Sequence, residues 1–128
     1  MLILPILIIQ MKLIKSFGYA WDGILYCIKT QLNFRIHFVL LTCVIVTGLL
    51  LKVSNIEWLV IILCSILVLT LEMINTALEY VCNLVTNNYN PAVKIIKDVA
   101  AGAVLVSAIG SVVIALIIFL PKIVALLN

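Results

Sequence analysis

Glu72, Asn75, Thr76 and Glu79 interrupt an otherwise apolar run, LTLEMINTALEYVCN, at a spacing that puts all four on one side of a helix. At about 100° per residue they lie within roughly 50° of a common direction near Glu72, and Asn83 continues the stripe one turn on. A carboxylate at the centre of a bilayer costs at least about 2.5 kcal/mol on insertion scales, so two on one face call for a function. One carboxylate can take the proton of a hydroxyl and a second can hold Mg²⁺. Lys97 and Asp98, at the start of a later apolar run, add a cation able to neutralise a phosphate. Together these groups suit phosphoryl transfer. Proton or cation translocation also uses paired membrane carboxylates, but it leaves Lys97 and Asp98 without a role. The chain has neither a GxxxxGK[ST] loop nor a kinase glycine loop, which excludes the soluble nucleotide-binding architectures.

The elements that position these residues must be membrane helices. Of 128 residues, 66% are hydrophobic and 10% charged, and the mean hydropathy is +1.39, which excludes a soluble domain. Such a length accommodates a few spanning helices, too few to enclose a large site alone, so an oligomer is expected. The net charge of +3 is spread along the chain without an aromatic-basic cluster, and no nucleic-acid partner is expected. Cys27, Cys43, Cys64 and Cys82 are spaced 16, 21 and 18 residues apart with no CxxC pair, so they read as small apolar residues, without a disulfide or zinc.

Along the chain, MLILPILII is apolar, but its lysines follow it and no small-residue cleavage site does, so a cleaved signal is not expected. Residues 1–11 read as an N-terminal extension ahead of the more ordinary sequence MKLIKSFGYAWDG. Residues of about 12–35 read as an amphipathic helix on the membrane surface, with Phe17, Tyr19, Trp21 and Tyr26 at headgroup level. Spanning helices are expected at about 36–52, 57–85 and 98–120, with a turn at TNNYNP and a tail at 123–128. Ser54 or Asn55 is placed to cap the second span, whose first turn holds Glu57. Small residues of the third span, among them Gly102, Ala103, Ser107 and Gly110, allow close helix approach. Lys15, Lys29 and Lys122 read as surface anchors, Trp58 as a belt residue, and His37 as a hydrated interfacial side chain outside the site. Lys12, Lys15, Lys29 and Arg35 precede the first span and Lys94 and Lys97 the third, which predicts a cytoplasmic N-terminus.

LEMINTALEYVCN, followed after a short loop by NPAVKIIKDVAAGAVLVSA, closely resembles the prokaryotic diacylglycerol kinase and undecaprenol kinase family. FGYAWDG and NFRIH match further family segments, and the resemblance covers about Lys12 to Lys122. It implies an all-α integral membrane homotrimer, each chain with a surface helix and three spanning helices, and active sites between subunits in a bacterial cell membrane. By the same resemblance, Glu72 is the general base on the lipid hydroxyl, Glu79 the Mg²⁺-binding carboxylate and Asn75 a polar site residue. Lys97 and Asp98 match the nucleotide-contacting pair, and Lys12 a basic position near the nucleotide. The implied reaction is phosphoryl transfer from ATP to a membrane lipid alcohol, with Mg²⁺ as cofactor.

Asn33, Arg35 and His37 fit the NxRIH segment of the undecaprenol-directed branch, which favours undecaprenol over the alternative, diacylglycerol. Two positions depart from the family: Gln31 stands where a glutamate is usual and Asn83 where an aspartate is usual. Gln31, as a metal-site candidate, offers a carbonyl oxygen without charge, so weaker Mg²⁺ affinity is expected. A catalytically weakened trimer is the alternative of a different class.

Overall fold

A computed structural model describes residues 3–86 and 88–127, with side chains from residue 11 onward. Residues 1–2 of the N-terminal extension, Asn87 of the turn segment and Asn128 of the tail lie outside the described residues. The chain forms four helices, α1 (Ile3–Thr30), α2 (Leu32–Leu50), α3 (Asn55–Val85) and α4 (Pro91–Leu127). The last three are long and apolar enough to cross a membrane. At about 1.5 Å per residue, α3 and α4 exceed the roughly 30 Å of bilayer hydrocarbon and must protrude. They pack on each other as the main antiparallel pair, α2 lies against α3, and α1 touches both α2 and α3.

The first break falls at Gln31 rather than near Arg35, so Asn33 and Arg35 belong to the first turns of α2. Gln31 alone is extended, with φ −101° and ψ 114°. Its N–H still donates to the Cys27 carbonyl (2.9 Å) and its carbonyl accepts from Arg35 N–H (3.2 Å), so the chain changes direction with little loss of hydrogen bonding. Thr30 Oγ1 donates back to the Tyr26 carbonyl at 2.8 Å, a side-chain bond of the kind that weakens a helix end.

The α2–α3 connection is closed by backbone bonds on both sides. Lys52 N–H donates to Leu49 O (3.3 Å) and Val53 N–H to Gly48 O (3.1 Å), the double bond pattern of a Schellman end. Lys52 takes the left-handed position at φ 49°, usually given to glycine. Ser54 then caps α3, accepting from Glu57 N–H while Glu57 Oε2 accepts from Ser54 N–H (2.6 Å). Trp58 packs inward: a Cβ on Gly48 would meet its ring at 2.8 Å, so only glycine lets α2 approach here.

Val53, Ile61, Ile118 and Phe119 form the apolar cluster at this end of the molecule. Lys122 Nζ lies 3.1 Å from Glu57 Oε2, so the lysine read as a surface anchor ties the end of α4 to the start of α3. The ion pair and the cluster hold α4 helical through Pro121 to Leu127, beyond the span end expected near Leu120. The missing proline N–H is tolerated in membrane helices where neighbouring contacts hold the segment.

At the other end Asn90 Oδ1 accepts from Ala92 N–H (2.9 Å) and Val93 N–H (3.4 Å), and Pro91 occupies the first helical position. Lys94, Lys97 and Asp98 consequently sit on the opening turns of α4. Burial is uneven: 28% of the most apolar stretch of α3 is covered, against 11% in α2 and α4, which makes α3 the central helix.

Candidate active site

The second half of α3 turns its polar stripe inward. Glu72 is 2% exposed, Thr76 4% and Asn75 6%, the buried polar side chains among the described residues. Thr76 Oγ1 donates to the Glu72 carbonyl at 3.0 Å, which satisfies the hydroxyl within the helix. Asn75 Nδ2 donates to Glu79 Oε1 over a long 3.5 Å, and Asn75 Oδ1 is buried with no hydrogen-bond partner. An unmet acceptor in a dry environment is costly, and such an exception calls for an explanation such as a catalytic role or a bound water or ion.

Three helices enclose a cavity of about 200 Å³ around this stripe. Its polar lining is Asn33 and His37 from α2 with Glu72 and Asn75 from α3, and α4 contributes Ala101, Val104, Leu105 and Ala108. The small α4 residues leave the space that the carboxylate faces. Asn75 also borders a larger cleft, about 410 Å³, between α3 and α4. From α1, the buried Cys27 lies against Thr76. Burial pushes its thiol pKa up, a Thr76 hydrogen bond opposes that and the Glu72 charge adds to it, so the thiol stays neutral. Tyr26 and Tyr80 join α1 to α3 through their hydroxyls, with ring centroids 5.7 Å apart in an edge-on arrangement.

Glu72, Asn75 and Glu79 are thus gathered on one face of α3, the first two in one cavity. Lys97 Nζ donates to Asn83 Oδ1 at 2.7 Å, bridging α4 to the lower end of the stripe. Asp98 instead pairs with Lys94 within α4, so Lys97 and Asp98, expected as a pair, face different partners. Neighbours in a helix point about 100° apart, and each finds its own contact. Gln31 sits at the α1–α2 break, its Nε2 donating to Thr30 Oγ1 at 3.2 Å, and does not line the cavity. Lys12 is exposed on α1, where its carbonyl accepts from Ser16 Oγ.

Among the described residues no three His, Cys, Asp or Glu side chains converge as a metal cage. The oxygen donors present still suit Mg²⁺, which keeps its waters and commonly takes only one or two protein carboxylates beside substrate phosphates. Sequence reasoning left Asn33 and His37 outside the site. Their spacing of four residues was the available signal, but a helix boundary near residue 35 assigned them to different elements.

The family model described as "Prokaryotic diacylglycerol kinase" matches residues 18–119. The chain is 41% identical over 111 residues to undecaprenol kinase of Bacillus subtilis (strain 168), covering 87% of this chain and 90% of that one. It is 45% identical over 117 residues to diacylglycerol kinase of Synechocystis sp., covering 91% of this chain and 67% of that one. With diacylglycerol kinase of Escherichia coli (strain K12) the identity is 28% over 102 residues, 80% of this chain and 84% of the relative. With its buried carboxylate stripe on a central membrane helix, this chain belongs to the prokaryotic diacylglycerol kinase family and is a membrane-embedded lipid kinase with ATP as phosphoryl donor.

Proposed function

We propose that this lipid kinase phosphorylates undecaprenol to undecaprenyl phosphate, working as a homotrimer with its site on the cytoplasmic side of a bacterial cell membrane. The observation that carries the reading is Glu72, a carboxylate 2% exposed in a cavity whose other walls are amide, imidazole and apolar groups. Nothing in a lipid-facing helix pair calls for such a group, whereas a hydroxyl entering from the bilayer needs a base at that depth.

Glu72 takes the hydroxyl proton as the lipid oxygen attacks the γ-phosphorus, and ADP leaves with the electron pair of the broken P–O bond. Asn75 orients the reacting groups with its free carbonyl oxygen. Lys97, whose partner Asn83 is neutral, keeps its full charge for the nucleotide phosphates, and Lys12 adds a second cation from α1. Asp98, held by Lys94, steadies the first turns of α4 beside the nucleotide. Glu79 would hold Mg²⁺ together with the ATP phosphates, with Gln31 as an uncharged further candidate. When bound, Mg²⁺ neutralises charge developing on the transferring phosphate.

The catalytic unit is taken as residues 12–122, preceded by an extension at 1–11 and followed by a tail at 123–128. Lys12, Lys15 and Lys29 precede the first span, Arg35 lies in its first turn and Lys94 and Lys97 open the third, which supports a cytoplasmic N-terminus under the positive-inside rule. The thin coverage of α2 and α4 and the small residues of α4 support the trimer.

The NFRIH segment and the 41% identity to undecaprenol kinase of Bacillus subtilis, spanning most of both chains, support undecaprenol. The 45% identity to diacylglycerol kinase of Synechocystis sp. favours diacylglycerol as the second reading. Purified protein in lipid micelles, given ATP, Mg²⁺ and each lipid separately, tests the choice. Faster product from undecaprenol is expected; preference for diacylglycerol would reverse the substrate assignment. No product from either would point to a weakened trimer, with Gln31 the first position to examine.

A further inference from the structure

Glu72 accepts a proton in each turnover and must lose it before the next, yet at 2% exposure it has almost no contact with water. Apart from Glu72, the titratable side chain lining its cavity is His37, which is half-buried and also borders a second cavity of about 190 Å³ between α2, α3 and α4. Asn33, one turn earlier on α2, lines the same cavity as the Glu72 carboxylate. The remaining titratable groups facing this carboxylate are Glu79 on α3 and Cys27 on α1; α4 offers only alanine, valine and leucine. A carboxylic acid is a poor proton donor to an apolar cavity, whereas a neutral imidazole is a ready acceptor.

We propose that His37 is a relay residue that discharges Glu72 after each transfer, while Asn33 orients the carboxylate toward the lipid hydroxyl. The inference deepens the lipid-kinase reading and rests on it. The lipid O–H bond breaks as the O–P bond forms, and its proton moves to a Glu72 oxygen. That O–H bond then breaks in turn, an imidazole nitrogen of His37 gains the proton, and the imidazolium releases it to water. His37 acts through Glu72 and does not touch the substrate.

The chain contains a single histidine, so ¹⁵N-histidine NMR of the full-length protein in micelles reads this side chain alone. The imidazole ¹⁵N resonances should shift in Glu72→Gln, because the carboxylate that shares the cavity with the ring is replaced. Unchanged imidazole resonances overturn the pairing. In turnover assays, His37→Gln should lower kcat by about tenfold or more with little change in lipid KM, and should displace the acidic limb of the pH profile. Added imidazole should restore part of the rate lost in His37→Ala. Wild-type kcat and pH profile in His37→Gln, or a loss confined to KM and untouched by imidazole, would each reject the relay. If the wild-type protein phosphorylated neither lipid, the substrate reading would fail while the NMR comparison still decided for or against the pair.

Discussion

The two ends of the α3–α4 pair are built on opposite principles. Where α3 begins and α4 ends, polar groups find local partners: the Ser54–Glu57 capping box, the Schellman bonds to Gly48 and Leu49, and the Lys122–Glu57 ion pair. Between them, Val53, Ile61, Ile118 and Phe119 pack without a buried charge. Where α3 ends and α4 begins, the interior instead holds Glu72, Asn75 and Thr76, and Asn75 Oδ1 has no partner. Lipid tails are as apolar as leucine, so burying apolar surface does little to associate helices in a bilayer; packing and polar contacts must do it. One end therefore serves as the clamp, and the other keeps unmet polar capacity where a reaction can use it.

If that division is right, substitutions at the two ends should separate activity from stability. Glu72→Gln should have the largest effect, cutting turnover by about 10²- to 10⁴-fold in the micelle assay. Its thermal midpoint should match or exceed that of the wild type, since a buried carboxylate becomes a neutral amide. Near-normal turnover would remove Glu72 from the mechanism. Gly48→Ala should do the reverse, costing about 1–3 kcal/mol as the new methyl drives against the Trp58 ring. Turnover per folded molecule should hold, and reduced catalysis without destabilisation would mean the ends are not independent. Ser54→Ala should cost about 1 kcal/mol through loss of the cap, measured by denaturation in detergent. The gentlest change, Gln31→Glu, should move the Mg²⁺ titration of activity to lower concentration. An unchanged titration would take Gln31 out of the metal site.

Much of this arrangement was legible in the residue pattern. The stripe from Glu72 to Asn83 announces itself because five polar residues at helical spacing cannot be incidental in so apolar a run. The capping box is equally local, since Ser54 and Glu57 need only each other and three residues of helix. The bend at Gln31 was hidden, because it needs neither glycine nor proline, only one extended residue. The continuation of α4 past Pro121 was hidden as well, since the contacts that sustain it come from the far side of the chain.

The sequence by itself determined three membrane-crossing helices and a carboxylate-bearing face on the middle one, because periodicity and hydropathy are properties of contiguous residues. Tertiary structure alone decided that Lys97 joins Asn83, that Lys122 reaches Glu57, and that Asn33 and His37 face Glu72. Those choices depend on how helices distant in sequence rotate against one another, and a rotation of one residue's arc, about 100°, gives a lysine a different partner.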